Sequence, residues 1–320
     1  MKKPRIAVLA GGPSSEYEIS LRSSAQIERA LKAAYPVKRV LLSKEPARLF
    51  DTLKKNLKGT DVALLSALHG EWVEDGRLQA LLETLRVPYT GSGVLASALG
   101  MDKAMSYELA KRFGLLVPPY FVLRRSAEPD VVHARLKEDF GYPCVVKPNA
   151  LGSSIGVSIV KNRRTLDAAL RAAFDYDGTI IVQKFIAGAE VTCGVLGNTA
   201  RTDLVALPPI LIRPPKGAFF DYHAKYDSPK TKELCPAPLP KKTLANIEAA
   251  ALLAHALHRT DGLTRSDFIL DKKGGLNFLE INTAPGMTEA SLCPKEARAL
   301  GWTFLDLLEK IIGLGLERRR

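Results

Sequence analysis

An apolar run, Ile6 to Ala10, stops at Gly11-Gly12, and after a loop Ile27, Ala30, Leu31 and Ala34 recur at the i, i+3, i+4, i+7 spacing of a helix face. The pattern then repeats. Val62 to Ala67 reads as a second strand ending at His69-Gly70, and Leu78, Leu81, Leu82 and Leu85 form another helical stripe. Strands that alternate with helices predict a parallel sheet, whose ligands gather where the strands end. Glu16 and His69 both follow such ends, so the first hundred residues are expected to form an α/β substrate-binding unit. A chain of 320 residues has room for more than one such unit.

Composition removes several classes of function. No apolar run approaches the roughly 18 residues of a membrane span, and Ile6 to Ala10 is too short for a signal-peptide core of about 7 to 15 residues. The expected setting is therefore the cytoplasm, with no membrane partner. Cys144, Cys193, Cys235 and Cys293 are far apart and form no C-x-x-C pair, which argues against structural zinc and a disulfide framework. The net charge of +12 raises the question of nucleic acid. Its basic residues are scattered, however, without an aromatic-studded stripe, so the surface suits small anions and no nucleic-acid partner is expected.

Beyond Met101 the texture changes. A helix over Asp102 to Phe113 precedes short β-type runs at Cys144 to Lys147, Val157 to Val160 and Ile180 to Phe185, which predict a small α+β unit over residues 101–186. Then follow a strand at Val191 to Leu196, a Pro-rich stretch from Arg213 to Pro240, a helix over Leu244 to Leu257, and strands at Phe268 to Leu270 and Leu276 to Ile281. The long loop is a candidate mobile lid over residues 213–240. Lys272-Lys273-Gly274-Gly275 closes the last two strands into a hairpin.

On that hairpin Glu280 and Asn282 share a face, and Asp267, placed at the start of the partner strand, can meet them. Such oxygen-bearing groups suit magnesium, or equally a solvated face; Arg265, two residues before Asp267, would add a fixed positive charge. A second candidate is Lys147-Pro148-Asn149-Ala150-Leu151-Gly152-Ser153-Ser154-Ile155-Gly156, where glycines bracketing two serines can present donors to an oxyanion, or simply make a flexible turn. It is not a Walker A loop. Gly11-Gly12-Pro13 lacks the dinucleotide-binding fingerprint, which excludes a nicotinamide oxidoreductase.

In order, the chain carries Gly11-Gly12-x-Ser14-x-Glu16, His69-Gly70-x-x-x-Glu74-Asp75-Gly76, Thr90-Gly91-Ser92-Gly93, Met101-Asp102-Lys103, Val146-Lys147-Pro148 and Gly152-Ser153-Ser154-x-Gly156. These continue with Glu190, Tyr222-x-Ala224-Lys225-Tyr226, Arg265-x-Asp267 and Glu280-Ile281-Asn282-Thr283-x-Pro285-Gly286-Met287-Thr288. The series resembles the D-alanine:D-alanine ligases of the ATP-grasp superfamily, over nearly the whole chain. The resemblance implies a mixed α/β and α+β, ATP-grasp architecture of three domains: an N-terminal parallel-sheet (pre-ATP-grasp) domain over residues 1–100, a central lid domain over 101–186, and a C-terminal domain over 187–320. ATP would lie between the last two.

Carried over by position, the resemblance makes Lys103 and Lys147 contacts to the ATP phosphates and puts Ser153 and Ser154 in the loop that closes on them. Gln183, Lys184, Phe185 and Ile186 would read the adenine and Glu190 the ribose. The family more often has Glu at the first of these positions, so Gln183 keeps an acceptor for the adenine amine and loses the charge. Asp267, Glu280 and Asn282 match ligands to two Mg2+ ions, for which Mn2+ can substitute. Glu16 faces the ammonium of the first D-alanine, His69 lines the same subsite, and Ser291 binds the carboxylate of the second, with Gly286 also a substrate-binding position. Arg265 would stabilise the tetrahedral oxyanion. On the lid, Lys225 would reach the γ-phosphate and Tyr226 would bond to Ser153 and Glu16; Tyr226 also favours a dipeptide product over ligation to D-lactate or D-serine. A homodimer that takes two D-alanine molecules is expected.

Overall fold

The computed structural model describes residues 3–125, 128–152, 154–199, 203–213 and 231–317. At its N-terminal end, β1 (Ile6–Gly11), α1 (Tyr17–Lys32), β2 (Val37–Leu42) and β3 (Val62–Leu64) form a parallel sheet in the order β2-β1-β3. Every β1 residue is buried, as a strand covered on both faces must be. β2 is an edge strand and leaves Lys38, Arg39 and Leu41 in solvent. β3 ends at Leu64 and not at Ala67, since the Leu65 amide donates to Thr90 Oγ1 at 3.1 Å. The helices α2 (Leu49–Asn56), α3 (Arg77–Thr84) and α4 (Val94–Met101) complete this part. α1 turns small polar residues inward, and Ser20 Oγ accepts the Gly11 amide at 2.8 Å. This bond fixes the start of α1, and with it Glu16, at the end of β1.

α5 (Lys103–Arg112) starts at Asp102, whose carboxylate accepts the Met105 amide at 3.0 Å. Next come β4 (Tyr120–Arg124), α6 (Pro129–Asp139), β5 (Cys144–Pro148), β6 (Ser158–Val160), α7 (Leu166–Phe174) and β7 (Thr179–Lys184). The strands make an antiparallel sheet in the order β4-β7-β5-β6. Val132, Leu136, Leu166 and Leu170 cover one face, against Cys144, Val146, Ile180 and Val182. Alternation turns Lys147 and Gln183 to the other face.

The remaining elements are β8 (Gly188–Asn198), β9 (Val205–Ala206), β10 (Ile210–Arg213), β11 (Lys232–Leu234), α8 (Lys241–Leu257), β12 (Asp261–Asp271), β13 (Leu276–Asn282), α9 (Leu292–Ala299) and α10 (Phe304–Glu317). Their antiparallel sheet runs β11-β10-β8-β12-β13, with β9 also on β8. The hairpin of β12 and β13 is as expected, but β12 begins at Asp261, so Asp267 stands within the strand and not at its start. The early half of β12 is central yet carries polar side chains; Thr264 Oγ1 lies 2.7 Å from His255 Nδ1. β11 forms from the C-terminal part of the stretch expected to be a lid; residues 214–230 of that stretch lie outside the described residues.

Two packing features bear on the site. Tyr107 and Ala110 of α5 share a core with Val191, Phe268 and Phe278, so α5 rests on the last sheet. At Gly194 of β8 an added Cβ would fall 2.5 Å from Glu296 Oε2 on α9, while the Gly194 amide donates to both oxygens of that buried carboxyl group at 3.1 Å. Among the described residues no helix is long and apolar enough to cross a membrane.

Candidate active site

The register of the last hairpin sets Asp267 opposite Glu280 and Arg265 opposite Asn282. Arg265 Nε and Nη2 each donate at 2.8 Å to the Asp267 carboxylate, one to each oxygen, and Thr192 Oγ1 donates to Oδ1 at 2.5 Å. Burial works against the guanidinium charge, but Asp267 outweighs it and holds the Arg265 pKa well above its usual value. A carboxylate accepts at about four positions, so Asp267 retains one, on Oδ2. Glu280 Oε2 lies 3.3 Å from Lys103 Nζ, which also donates to the Leu151 carbonyl at 2.6 Å.

Among the described residues no group of three or more His, Cys, Asp or Glu could hold a metal ion. Here the third oxygen donor is the amide of Asn282, beside Asp267 and Glu280, and hard oxygens of this kind fit magnesium. Asn282 Oδ1 also accepts the Ala284 amide at 3.1 Å.

The free face of the four-stranded sheet looks toward this hairpin. Lys147, Gln183, Lys184, Phe185, Ile186 and Glu190 line a cavity of about 110 Å³ with Ser154, Asp267 and Glu280. The Lys184 and Phe185 amides donate to the Pro119 and Pro143 carbonyls at 2.8 and 3.2 Å. Ser154 adopts φ 57°, a left-handed conformation sparsely populated by serine, which sets the direction of the loop behind the cavity. The loop is tied to α5 as well, since Asn149 Oδ1 accepts the Ala104 amide at 2.9 Å.

A second cavity, of about 380 Å³, is lined by Glu16, His69, Glu74, Arg265, Asn282, Gly286 and Ser291. Gly70 lets the turns at the ends of β1 and β3 meet: at φ +82° a Cβ there would lie 2.4 Å from Ser14 Oγ and 3.0 Å from Glu16 Oε2. His69 is buried, with Nδ1 3.9 Å from Glu74 Oε1. Burial opposes its charged form, yet Glu74 and Glu16 outweigh that and raise its pKa. Burial likewise raises the pKa of Glu74. His69 Nε2 has no partner among the described residues. Ser291 Oγ accepts the Thr288 amide at 3.1 Å, at the start of α9.

Lys103 and Glu280 belong to the walls of both cavities. All the expected site residues within the described chain thus come together around one junction. Ser153, Lys225 and Tyr226 lie outside the described residues. The sequence reading misses Tyr107, whose hydroxyl group lies 2.7 Å from Lys147 Nζ. The signal was its place four residues after Lys103, on the same helix face. It also misses Thr192 and Glu296, whose roles depend on contacts across the sheet.

Two antiparallel sheets that face each other across a lysine-lined and carboxylate-lined cavity, beside a parallel-sheet unit with a second cavity, define an ATP-grasp ligase. Residues 109–313 match the family model described as D-ala D-ala ligase C-terminus. The chain is 44% identical over 312 residues to the D-alanine--D-alanine ligase of Nitratidesulfovibrio vulgaris strain DP4, covering 98% of each chain. It superposes on the ATP-complexed D-alanine--D-alanine ligase of Bacillus anthracis with a TM-score of 0.84 at 32% identity, covering 99% of this chain and 98% of the other. For the VanG D-Ala:D-Ser ligase of Enterococcus faecalis the TM-score is 0.83 at 29% identity, covering 98% and 100%. The chain belongs to the D-alanine–D-alanine ligase family.

Proposed function

We propose that this chain is an ATP-dependent ligase that joins two D-alanine molecules into D-alanyl-D-alanine for peptidoglycan precursor synthesis. The observation that carries this reading is the junction at Lys103 and Glu280, where the two cavities meet. A carboxylate is too inert for an amine to attack. A phosphoryl group passed from the smaller cavity to a D-alanine carboxylate in the larger one would convert it to an acyl phosphate, and the second D-alanine would displace the phosphate as a neutral amine.

The residues have distinct parts in this reading. Lys103, Lys147 and the loop carrying Ser153 and Ser154 hold the phosphates, Gln183 to Ile186 the base, and Glu190 the ribose. Asp267, Glu280 and Asn282 would hold Mg2+, as one or two ions, which supplies charge neutralisation at the phosphates; Mn2+ would substitute. Glu16 and His69 receive the first D-alanine, and Ser291, with Gly286 beside it, takes the carboxylate of the second. Arg265, held in place by Asp267, faces the oxyanion that forms on attack. Lys225 and Tyr226 would close over the site from the segment 213–240 and exclude water from the acyl phosphate. We further propose units over residues 1–100, 101–186 and 187–320, a homodimer, a cytoplasmic location, and neither nucleic acid nor membrane as partner.

The test is phosphate release with ATP, magnesium and a panel of D-amino and D-hydroxy acids. D-Alanine is expected to support turnover, and Glu280→Gln to lower kcat by about 100-fold or more. Turnover in Glu280→Gln equal to the unmodified protein would remove the junction from the chemistry. Faster product formation with D-lactate or D-serine than with D-alanine would reassign the second substrate.

A further inference from the structure

Tyr107 is fully buried behind the smaller cavity, and its ring meets Tyr120 and Phe278 edge-on, with centroids 4.9 and 6.3 Å away. Among the described residues its hydroxyl group has three polar neighbours: Lys147 Nζ at 2.7 Å, the Leu279 carbonyl at 2.8 Å and Gln183 Oε1 at 3.4 Å. A phenol has one hydrogen to give, and an ammonium can only donate. Lys147 therefore donates to the phenolic oxygen. The single phenolic hydrogen goes to the nearer acceptor, the Leu279 carbonyl. Burial raises the pKa of Tyr107, so that hydrogen is in place at neutral pH.

This count leaves the oxygens of Tyr107 and Gln183 facing each other with no hydrogen between them. At the same time Gln183 Nε2 is buried with no partner among the described residues. Half a turn of the amide about its last bond resolves both: the nitrogen donates to Tyr107, and the carbonyl oxygen takes the place with no protein donor. Gln183 lines the cavity with Lys184, Phe185 and Ile186. An unpaired buried acceptor is satisfied by a base bearing an exocyclic amine and opposed by one bearing an exocyclic carbonyl.

We infer that Tyr107 is a positioning residue for nucleotide selection, whose hydroxyl group holds the Gln183 amide with its oxygen toward the base and so favours a 6-amino over a 6-oxo purine triphosphate. The inference rests on the reading of this cavity as the nucleotide site. Tyr107→Phe keeps the ring and its packing and deletes the hydroxyl group, which orients the amide and also bonds to Lys147 and the Leu279 carbonyl; the loss at Lys147 falls on both nucleotides alike and cancels in their ratio.

The experiment compares kcat/KM for ATP and for inosine triphosphate, with D-alanine saturating, in the unmodified protein, Tyr107→Phe, Gln183→Leu, and Tyr107→Phe combined with Gln183→Glu. Tyr107→Phe is expected to lower the ATP preference by about tenfold, the worth of one buried hydrogen bond, and to leave the KM for D-alanine unchanged. Gln183→Leu gives the same loss without touching the phenol. The double variant recovers the preference, because both oxygens of a carboxylate accept and neither needs orienting. If Tyr107 only packs, both nucleotides lose activity alike; an unmoved ATP preference in Tyr107→Phe overturns the inference. Failure of the unmodified protein to use any nucleotide with D-alanine overturns instead the reading of the cavity.

Discussion

Histidine is buried in two parts of this molecule, with opposite results. In the larger cavity His69 faces Glu74 and Glu16, and its pKa is raised above 6.5. Beneath the last sheet no carboxylate among the described residues raises the pKa of His255 or His258: Thr264 Oγ1 lies 2.7 Å from His255 Nδ1, and Ser106 Oγ 2.7 Å from His258 Nε2. Burial lowers both to about 4. Burial alone therefore makes a histidine a neutral structural donor and acceptor, and a neighbouring carboxylate is what keeps one able to carry charge. On the proposed function, the charge His69 can carry suits it to meet an amino-acid substrate, which the core pair cannot do.

The largest expected effect is on stability in acid. The core histidines bind protons more readily unfolded than folded, so their contribution is complete above about pH 6.5 and lost as pH falls toward 4. The gap between 6.5 and about 4 is worth roughly 3 kcal/mol for each. Glu296, which burial pushes up to about 7, slopes the opposite way, since its folded form keeps a proton that the unfolded chain gives up above about 4.5. The histidine share is therefore the difference between the urea midpoints of the unmodified protein and of His255→Gln with His258→Gln at pH 7 and pH 4.5. Parallel profiles would mean that folding leaves the pKa of the core pair unchanged.

His69 has the reverse sign: its contribution is complete below 6.5 and fades as pH rises through its folded pKa. Glu74→Gln removes the nearer carboxylate, so burial should drive the His69 pKa down, as read from imidazole NMR titration. The KM for D-alanine is expected to rise about tenfold, one charge-assisted hydrogen bond. An unchanged titration would assign the elevated pKa to Glu16 alone. The smallest effect sharpens the other side: Thr264→Val should destabilise by about 1 kcal/mol while His255 stays neutral down to about pH 4, because burial and not the hydroxyl group sets its pKa.

How far these regions could be read from the sequence follows the same division. Alternation along the hairpin places Glu280 and Asn282 on one face, and pairing brings Asp267 to them, so the carboxylate wall was legible. Glu16, His69 and Ser291 sit in turns without a period of their own, and only the ordered motifs drew them together. The early part of β12 was hidden because Thr264 and Ser266 break the apolar pattern, although the strand is central. His255 falls on α8 and His258 just past its end, and the helix pattern fixes an inner face but not the hydroxyl partners on other elements. Tyr107 had the right helical spacing after Lys103, but nothing local says that its hydroxyl group ends at Lys147 and Gln183.

The fit of Glu296 against Gly194 also bears on how such a chain can change by descent. Any side chain at position 194 would enter space that the carboxyl group fills, and shortening position 296 alone would strand the buried amide that now donates to it. Position 194 has no room for a side chain and position 296 must keep an acceptor of that length, as Gln also would, so larger changes at either should come together with the other. α9, which follows Ser291, inherits that restraint, and the cavity wall beside it is held across generations by a contact within the protein itself.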